Sequence, residues 1–446
     1  HFIGIGGIGV SGLAQYYLKN KHKITGSDLI SSETTDLLKK KGIKIFIGEN
    51  KIKNLPENTN LVIYSPAVKK DNPELKEAKK RKIKCQSYPE ALGKITKQHY
   101  TIAISGTHGK STTSAMIALI LIKTKLDPTV IIGTKLKEFS KEKQGNNFHH
   151  GKGKYLVIEA DEWKASFLNY FPEIITLTNI EEEHLDYYKN LNHILRTFKK
   201  YISRLSKKGM LVVNEEDKNI KKVLKLSQGG SASNKTLQNN QFKIKKYSTK
   251  QKEAEKIKRI LKIPGEHNVS NALAALSTAR LLKIPDKISF KALGEYQGSW
   301  RRFEIKKKTF KNKKLTLISD YGHHPTEVAA TIKAVKEKFK NKKIWCIFQP
   351  HQYQRTFYLS KNFIEVFQKN KIDKTIITDI FDVAGREKKD IRKKIDSQKL
   401  VKKISKPWVI YLPKNKIVEY LENNLKQTKV IIVMGAGDIY KLYENL

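Results

Sequence analysis

The 446-residue sequence predicts an α/β protein of three domains, residues 1–98, 99–298 and 299–446. Three observations lead there. Short apolar runs alternate with longer helix-like segments along the whole chain, which is the pattern of parallel sheets with right-handed helical crossovers. Two glycine-rich turns, near the starts of the first and second regions, each stand between a strand-like run and a helix-like one, where backbone amides collect anions. The length itself corresponds to about three domains on a prior of roughly 150 residues each.

The first region opens on strand-like Phe2-Ile3-Gly4-Ile5, followed by a helix from Ser11 to Lys19 and a short strand Lys23-Ile24-Thr25-Gly26-Ser27. Thr34 to Lys41 reads as helix, Ile43 to Ile47 as strand, and Leu61-Val62-Ile63-Tyr64-Ser65 as a buried parallel strand. The first turn, Gly4-Ile5-Gly6-Gly7-Ile8-Gly9, is a complete G-x-G-x-x-G, and Asp28 follows near the roughly 20-residue offset of a dinucleotide fingerprint. The motif certifies only a pyrophosphate on a helix N-terminus, and a UDP-sugar carries one as readily as NAD does. Close packing of helix on strand is the competing reading, and it is stronger for Asp28 than for the glycines. A dehydrogenase would also need a nicotinamide half, which nothing after Asp28 supplies, and would leave a second phosphate turn unexplained.

That second turn begins the second region. Tyr100-Thr101-Ile102-Ala103-Ile104 leads into Gly106-Thr107-His108-Gly109-Lys110-Ser111-Thr112-Thr113 and then an apolar helix, Ser114 to Leu121. Converging amides, a lysine for the terminal phosphates and a hydroxyl for Mg²⁺ make this an ATP loop, in the shorter form G-x-x-G-K-S. Two further strands end in acidic strings: Tyr155-Leu156-Val157-Ile158 in Glu159-Ala160-Asp161-Glu162, and Ile174 to Asn179 in Glu181-Glu182-Glu183-His184. Ligands collect beyond the carboxyl ends of parallel strands, so carboxylates and His there are candidate Mg²⁺ ligands, although most must be solvated loop residues. Lys225 to Lys252, polar from Ser227 through Asn240, reads as a loop or flexible insertion. Ile263-Pro264-Gly265 then turns into an Ala-rich helix with Asn268 and Asn271 three apart, whose amides either read a base edge or, as spacing alone favours, cap the helix.

The third region repeats the alternating pattern. Strands Leu315 to Tyr321, Lys343 to Phe348, Thr375 to Asp379 and Val430 to Gly435 alternate with helix-like segments. The first two end in Gly322-His323-His324-Pro325 and Gln349-Pro350-His351. No Cys or Glu at a suitable offset completes a zinc set with the paired histidines, so hydrogen bonding to an anionic or amide substrate is the better reading.

A net charge of +45 invites nucleic acid, but the basic residues are mostly Lys, spread along the chain, and no nucleic-acid-binding motif accompanies them. No apolar run reaches the roughly 20 residues of a membrane-spanning helix. Cys85 and Cys346 lie far apart and read as buried free thiols in a reducing cytoplasm. His1 leads directly into an apolar strand; a start Met and the beginning of that strand are expected to be missing, and no signal peptide is visible.

Taken together, the motifs resemble the Mur ligases, which build the peptide stem of bacterial peptidoglycan. The resemblance covers essentially the whole chain. It rests on His1-Phe2-Ile3-Gly4-Ile5-Gly6-Gly7 with Ser11-Gly12, on Gly106 to Ser111, on Glu159-Ala160-Asp161-Glu162, on Asn179 with His184, and on Gly265, His267, Asn268 and Asn271. Arg301-Arg302-Phe303, Asp320 to Glu327, and Gln349-Pro350-His351 with Tyr353, Arg355 and Thr356 complete it. The resemblance implies a Rossmann-like UDP-sugar domain, a central P-loop ATPase-like domain and a C-terminal Rossmann-like domain. It implies a cytoplasmic, monomeric or dimeric ATP- and Mg²⁺-dependent carboxylate–amine ligase, with UDP-N-acetylmuramate and a small amino acid as partners and neither nucleic acid nor membrane insertion. His108 narrows the branch. L-alanine is the expected amino acid; joining a recycled tripeptide, or a catalytically idle nucleotide-binding homologue, is the alternative.

Residue by residue, the resemblance implies that Gly4, Gly6, Gly7 and Gly9 cradle the UDP pyrophosphate, and that Gly106, Thr107, His108, Gly109, Lys110, Ser111 and Thr112 hold the ATP phosphates. Ser111, Glu159 and His184 would hold metal. Asn268 and Asn271 would meet adenine, while Arg302 and Asp320 would complete the nucleotide site. His324, His351 and Arg355 would face the amino acid or the acyl phosphate, with His351 or His324 taking the amine proton. Three positions depart from the family pattern: Trp163-Lys164 in place of Ser-Asp, Glu183 in place of Asp, and Gln352 in place of Arg.

Overall fold

The computed structural model describes residues 1–446 apart from 141–144, 207, 229–241, 312, 384–388 and 426–429. It separates into two compact units: His1–Glu181 with Leu191–Ala254 and Ser270–Gly294, and Glu182–Asn190 with Glu255–Val269 and Glu295–Leu446. The first unit contains two sheets and the second contains one.

The first sheet comprises β1 (Phe2–Ile3), β2 (Thr25–Asp28), β3 (Lys44–Ile47), β4 (Leu61–Tyr64) and β5 (Lys84–Ser87), in the order β3-β2-β1-β4-β5. All of its pairings are parallel. The order reverses between β1 and β4, which opens a crevice at the end of β1 where the first glycine turn lies. β1 stops at Ile3 because Gly4 takes φ +76°, and the helix Ile8–Lys19 starts within the turn. Cys346 is a buried free thiol as expected, whereas Cys85 is only half-buried, because β5 is an edge strand with a neighbour on one side alone.

The second sheet comprises β6 (Tyr100–Ser105), β7 (Thr129–Leu136), β8 (Asn146–His149), β9 (Tyr155–Glu159), β10 (Ile174–Leu177), β11 (Met210–Asn214) and β12 (Lys243–Tyr247). Its order is β12-β11-β10-β6-β9-β7-β8, with only β8 antiparallel. β6 is therefore central. The helix that follows it, Lys110–Lys123, is buried without interruption from Ser111 to Leu121, which explains why its sequence from Ala115 to Ile122 is apolar on every face. The loop expected over Lys225–Lys252 is not one throughout. A helix runs over Lys218–Gln228, and β12 pairs with β11 from Lys243 to Tyr247. The rest of that stretch, 229–241, lies outside the described residues.

In the second unit, β13 (Glu304–Phe310), β14 (Lys313–Asp320), β15 (Ile344–Phe348), β16 (Lys374–Ile377), β17 (Val409–Tyr411) and β18 (Val430–Met434) lie in the order β13-β14-β18-β15-β16-β17. β13 and β14 form an antiparallel pair and the remaining pairings are parallel. Val328, Ile332 and Val335 of the helix Pro325–Lys338 join Phe348, Phe363 and Phe367 in the core on one face of this sheet. Among the described residues, no helix is long and apolar enough to cross a membrane.

Candidate nucleotide and ligase site

The phosphate loop is shaped by its neighbour β10. Thr107 N–H donates to the Asn179 carbonyl (3.0 Å), and His108 N–H donates to Asn179 Oδ1 (2.8 Å). Thr178 Oγ1 and Asn179 Nδ2 both donate to the His108 carbonyl, at 2.6 and 3.1 Å. Two positions in the loop require glycine. Gly106 has φ +129°, and a Cβ there would lie 2.2 Å from Thr178 Oγ1. Gly109 has φ +82°, and a Cβ would lie 2.3 Å from Asn271 Oδ1. The helix begins at Lys110, so the amides of its first turn, including Ser111 and Thr112, have no helical carbonyl to bond and remain available to an anion.

Lys110 folds back over this turn. Its Nζ donates to the Gly106 carbonyl (2.6 Å), the Thr107 carbonyl (3.2 Å) and Glu162 Oε2 (2.9 Å). Burial opposes the charge on Lys110, but the carboxylates of Glu162, Asp161 and Glu159 outweigh it and push the ammonium up to about 12. Ser111 Oγ donates to Glu159 Oε2 (3.0 Å), and Gly133 N–H donates to Glu159 Oε1 (2.5 Å). A hydroxyl and a carboxylate oxygen held together beside a phosphate loop are hard donors of the kind Mg²⁺ takes, so this pair fits the ion.

At the first glycine turn, Gly6 N–H donates to Asp28 Oδ2 (2.8 Å), and a Cβ at Gly6 would lie 2.9 Å from that oxygen. Asp28 therefore braces the turn, in line with its structural reading. Gly9 lies under the Tyr88 ring, 2.9 Å from where a Cβ would stand, and Gly7 N–H closes the turn onto the Gly4 carbonyl (3.3 Å).

The second unit holds a cluster around Glu183. Its Oε1 accepts from Arg355 Nε (2.9 Å) and from the His184 N–H (3.0 Å). Burial alone would raise this carboxyl, but Arg355 and the nearby His184, His323 and His324 hold it well below the usual carboxylate range. Arg355 also donates to His351 Nδ1 (2.9 Å) and to the His351 carbonyl (3.1 Å). In this arrangement Nδ1 of His351 is an acceptor already in use, and Nε2 carries the proton. His324 is similar: as N-cap of Pro325–Lys338, its Nδ1 accepts from Thr326 N–H (3.3 Å). Neither ring thus offers Nδ1 as a base in this geometry. His323 donates from Nδ1 to the Tyr321 carbonyl (3.1 Å), and burial drives it down to about 4. Glu183, His184, Gln352, Gln354, Arg355 and Tyr358 line a small cleft here. Gln352, one of these lining residues, holds φ +71°.

Asp320 is buried at the end of β14, where it accepts from Phe303 N–H (3.0 Å), Gly322 N–H (2.9 Å) and Thr331 Oγ1 (3.1 Å). Arg302 lies over the Tyr321 ring at 4.7 Å, while the adjacent Arg301 is buried and donates to the carbonyls of Gly435 and Gly437. Asn268 donates to the Pro264 carbonyl (2.7 Å), four residues back, which leaves the first-turn amides of its helix uncapped by this contact, whereas Asn271 abuts Gly109 of the phosphate loop. Sequence reasoning gave Thr178 no role, and it counted Glu162 and Glu183 only among the candidate Mg²⁺ carboxylates, not as the partners of Lys110 and Arg355. Thr178 directly follows β10, and Glu162 and Glu183 lie in the loops beyond β9 and β10, but so do solvated carboxylates and hydroxyls, and only the fold shows which of them meets a partner.

Models of three domain families match in succession: the Mur ligase family, catalytic domain over residues 1–100, the Mur ligase middle domain over 104–279, and the Mur ligase, glutamate ligase domain over 301–437. The UDP-N-acetylmuramate–L-alanine ligase of Acetivibrio thermocellus is 40% identical across 100% of this chain and 94% of its own length. That of Persephonella marina is 39% identical, covering 100% and 95%. Among solved structures, the UDP-N-acetylmuramate–alanine ligase of Thermotoga maritima superposes with a TM-score of 0.77 at 27% identity, covering 100% of this chain and 97% of that one. A murein peptide ligase of Psychrobacter arcticus shares the fold, with a TM-score of 0.72 at 21% identity over 100% and 97% of the two chains. The chain belongs to the Mur ligase family.

Proposed function

We propose that this protein is the cytoplasmic ligase that joins L-alanine to UDP-N-acetylmuramate at the expense of ATP, in the synthesis of peptidoglycan precursors. The observation that carries this reading is the 40% identity to a UDP-N-acetylmuramate–L-alanine ligase over the whole chain, in a protein whose phosphate loop is fully built. The lactyl carboxylate of the UDP-sugar attacks the γ-phosphorus of ATP, giving an acyl phosphate and ADP. The α-amine of L-alanine then attacks the acyl carbon and inorganic phosphate leaves.

A carboxylate attacking a polyphosphate needs its surroundings to absorb negative charge. Lys110 stays ionised and can exchange Glu162 and the loop carbonyls for phosphate oxygens. The amides of Gly109 to Thr112 bind the β- and γ-phosphates. Ser111 and Glu159 are the residues of this loop that would hold Mg²⁺, which when bound neutralises phosphate charge and orients the γ-phosphoryl group. Arg355, anchored on Glu183, is a cation of the second unit that can meet the carboxylate of the amino acid.

A phosphate-release assay with UDP-N-acetylmuramate and ATP tests this directly. L-alanine, L-serine, glycine and the Ala-Glu-diaminopimelate tripeptide serve as alternative acceptors. Turnover with L-alanine at the highest kcat/KM is expected. Turnover with the tripeptide alone would transfer the protein to the recycling branch, and phosphate release with no acceptor would leave only an ATPase.

A further inference from the structure

We propose that Lys164 binds the diphosphate of the UDP-sugar from the central domain; this deepens the ligase reading and rests on it. The first glycine turn supplies amides but no cation. Residues 1–18 contain neither Lys nor Arg, and the first turn of the helix Ile8–Lys19 carries no charged side chain. Amides at a helix N-terminus bind a diphosphate by themselves, and a cation added beside them makes a stronger, charge-assisted hydrogen bond to it.

The backbone presents Lys164 in an uncommon way. Lys164 and Ala165 both adopt left-handed conformations, φ 50° and 55°. Each costs about 1 kcal/mol or more for a residue with a Cβ, and such conformations persist where the surroundings impose them. The surroundings here are specific. Ala165 N–H donates to the Glu162 carbonyl (2.9 Å), Phe167 N–H to the Asp161 carbonyl (3.1 Å), and Ser166 Oγ to the Trp163 carbonyl (2.7 Å). Trp163 is buried, while Lys164 is exposed.

The ammonium of Lys164 stands 4.6 Å from the centre of the Trp163 ring and 3.4 Å from the carbonyl oxygen of Pro66. Pro66 belongs to the turn that follows β4, where Val68 N–H closes onto the Ser65 carbonyl (2.9 Å). That turn packs on the glycine cradle: a Cβ at Gly4 would lie 3.1 Å from Ser65 Cβ. β1 and β4 flank the reversal of strand order, so the turn that Lys164 touches at Pro66 borders the crevice in which the glycine cradle lies. One long hydrogen bond and an aromatic face hold the ammonium in place without neutralising it, and a phosphate oxygen can replace the carbonyl at little cost.

The test measures equilibrium binding of UDP-N-acetylmuramate, UDP and uridine to the full chain, its Lys164→Met and its Lys164→Arg, together with KM for ATP. Lys164→Met should bind UDP and UDP-N-acetylmuramate about tenfold more weakly, the scale of one charge-assisted hydrogen bond. Uridine affinity and KM for ATP should stay within about twofold, and Lys164→Arg should recover most of the loss. Unchanged UDP affinity in Lys164→Met overturns the proposal, as does an equal loss for uridine. A loss confined to UDP-N-acetylmuramate overturns it too, by reassigning Lys164 to the lactyl carboxylate. Failure of the wild type to turn over with any acceptor, alongside Lys164-dependent UDP binding, would instead refute the ligase reading and leave this inference standing.

Discussion

Lys110 and His323 are both enclosed, and opposite neighbours send them to opposite charge states. Around Lys110, three carboxylates overcome desolvation and fix a cation over the second glycine turn. Around His323, desolvation dominates; Glu327 and Glu183 favour the charged ring, Arg355 opposes it, and the net pKa falls to about 4. The ring therefore stays neutral in the native protein while an unfolded histidine protonates near 6.5. Between about pH 6.5 and pH 4 the unfolded state binds the extra proton, so this residue's stabilising contribution is full above 6.5 and is lost as pH falls. The shift corresponds to about 3 kcal/mol across that window. Urea unfolding of the wild type and of His323→Asn at pH 7 and pH 4.5 should show the wild type losing more stability on acidification. Parallel losses in the two proteins would mean that His323 does not titrate as described.

The phosphate loop is the element that the sequence specified most completely. Its glycines, its lysine and the strand before it are all local requirements of one turn, so they are visible without the rest of the fold. Buried parallel strands such as β6, β9, β10 and β15 were legible for a related reason, since a strand covered on both faces must be apolar throughout. The edge strands β8, β12 and β13 were not. β12, Lys243-Ile244-Lys245-Lys246-Tyr247, meets a neighbour on one side only and carries lysines that blunt its open edge, which makes it read as loop. The partnerships of Glu162 and Glu183 were hidden as well, because they join segments 52 and 172 residues apart. At this scale Gly109→Ala is the informative change. The new methyl would meet Asn271 Oδ1 and force a left-handed alanine. ADP formation at fixed ATP should fall at least about tenfold, with the unfolding midpoint moved by only a few degrees. Wild-type kinetics in this variant would show that the close approach of Asn271 to the loop has no bearing on ATP.

Over the whole molecule, two anion cradles lie at corresponding places in two successive sheets: each follows the strand at which the strand order reverses. One has a lysine in its own sequence, Lys110; the other has none and, on our reading, receives Lys164 from the next domain. The third sheet contributes cations and histidines organised on Glu183. An ATPase needs only one such cradle, and a dehydrogenase has no use for the second. A ligase that activates one carboxylate with ATP before offering it to an amine needs both, together with a third set of groups for the amine. The account's central claim is therefore the acyl phosphate. UDP-N-acetylmuramate labelled with ¹⁸O in both oxygens of its lactyl carboxylate, incubated with ATP and L-alanine, tests it by mass spectrometry of the products. One ¹⁸O should appear in the inorganic phosphate for each amide formed, with ADP as the other nucleotide product. Unlabelled phosphate, or label recovered in AMP, would contradict the mechanism.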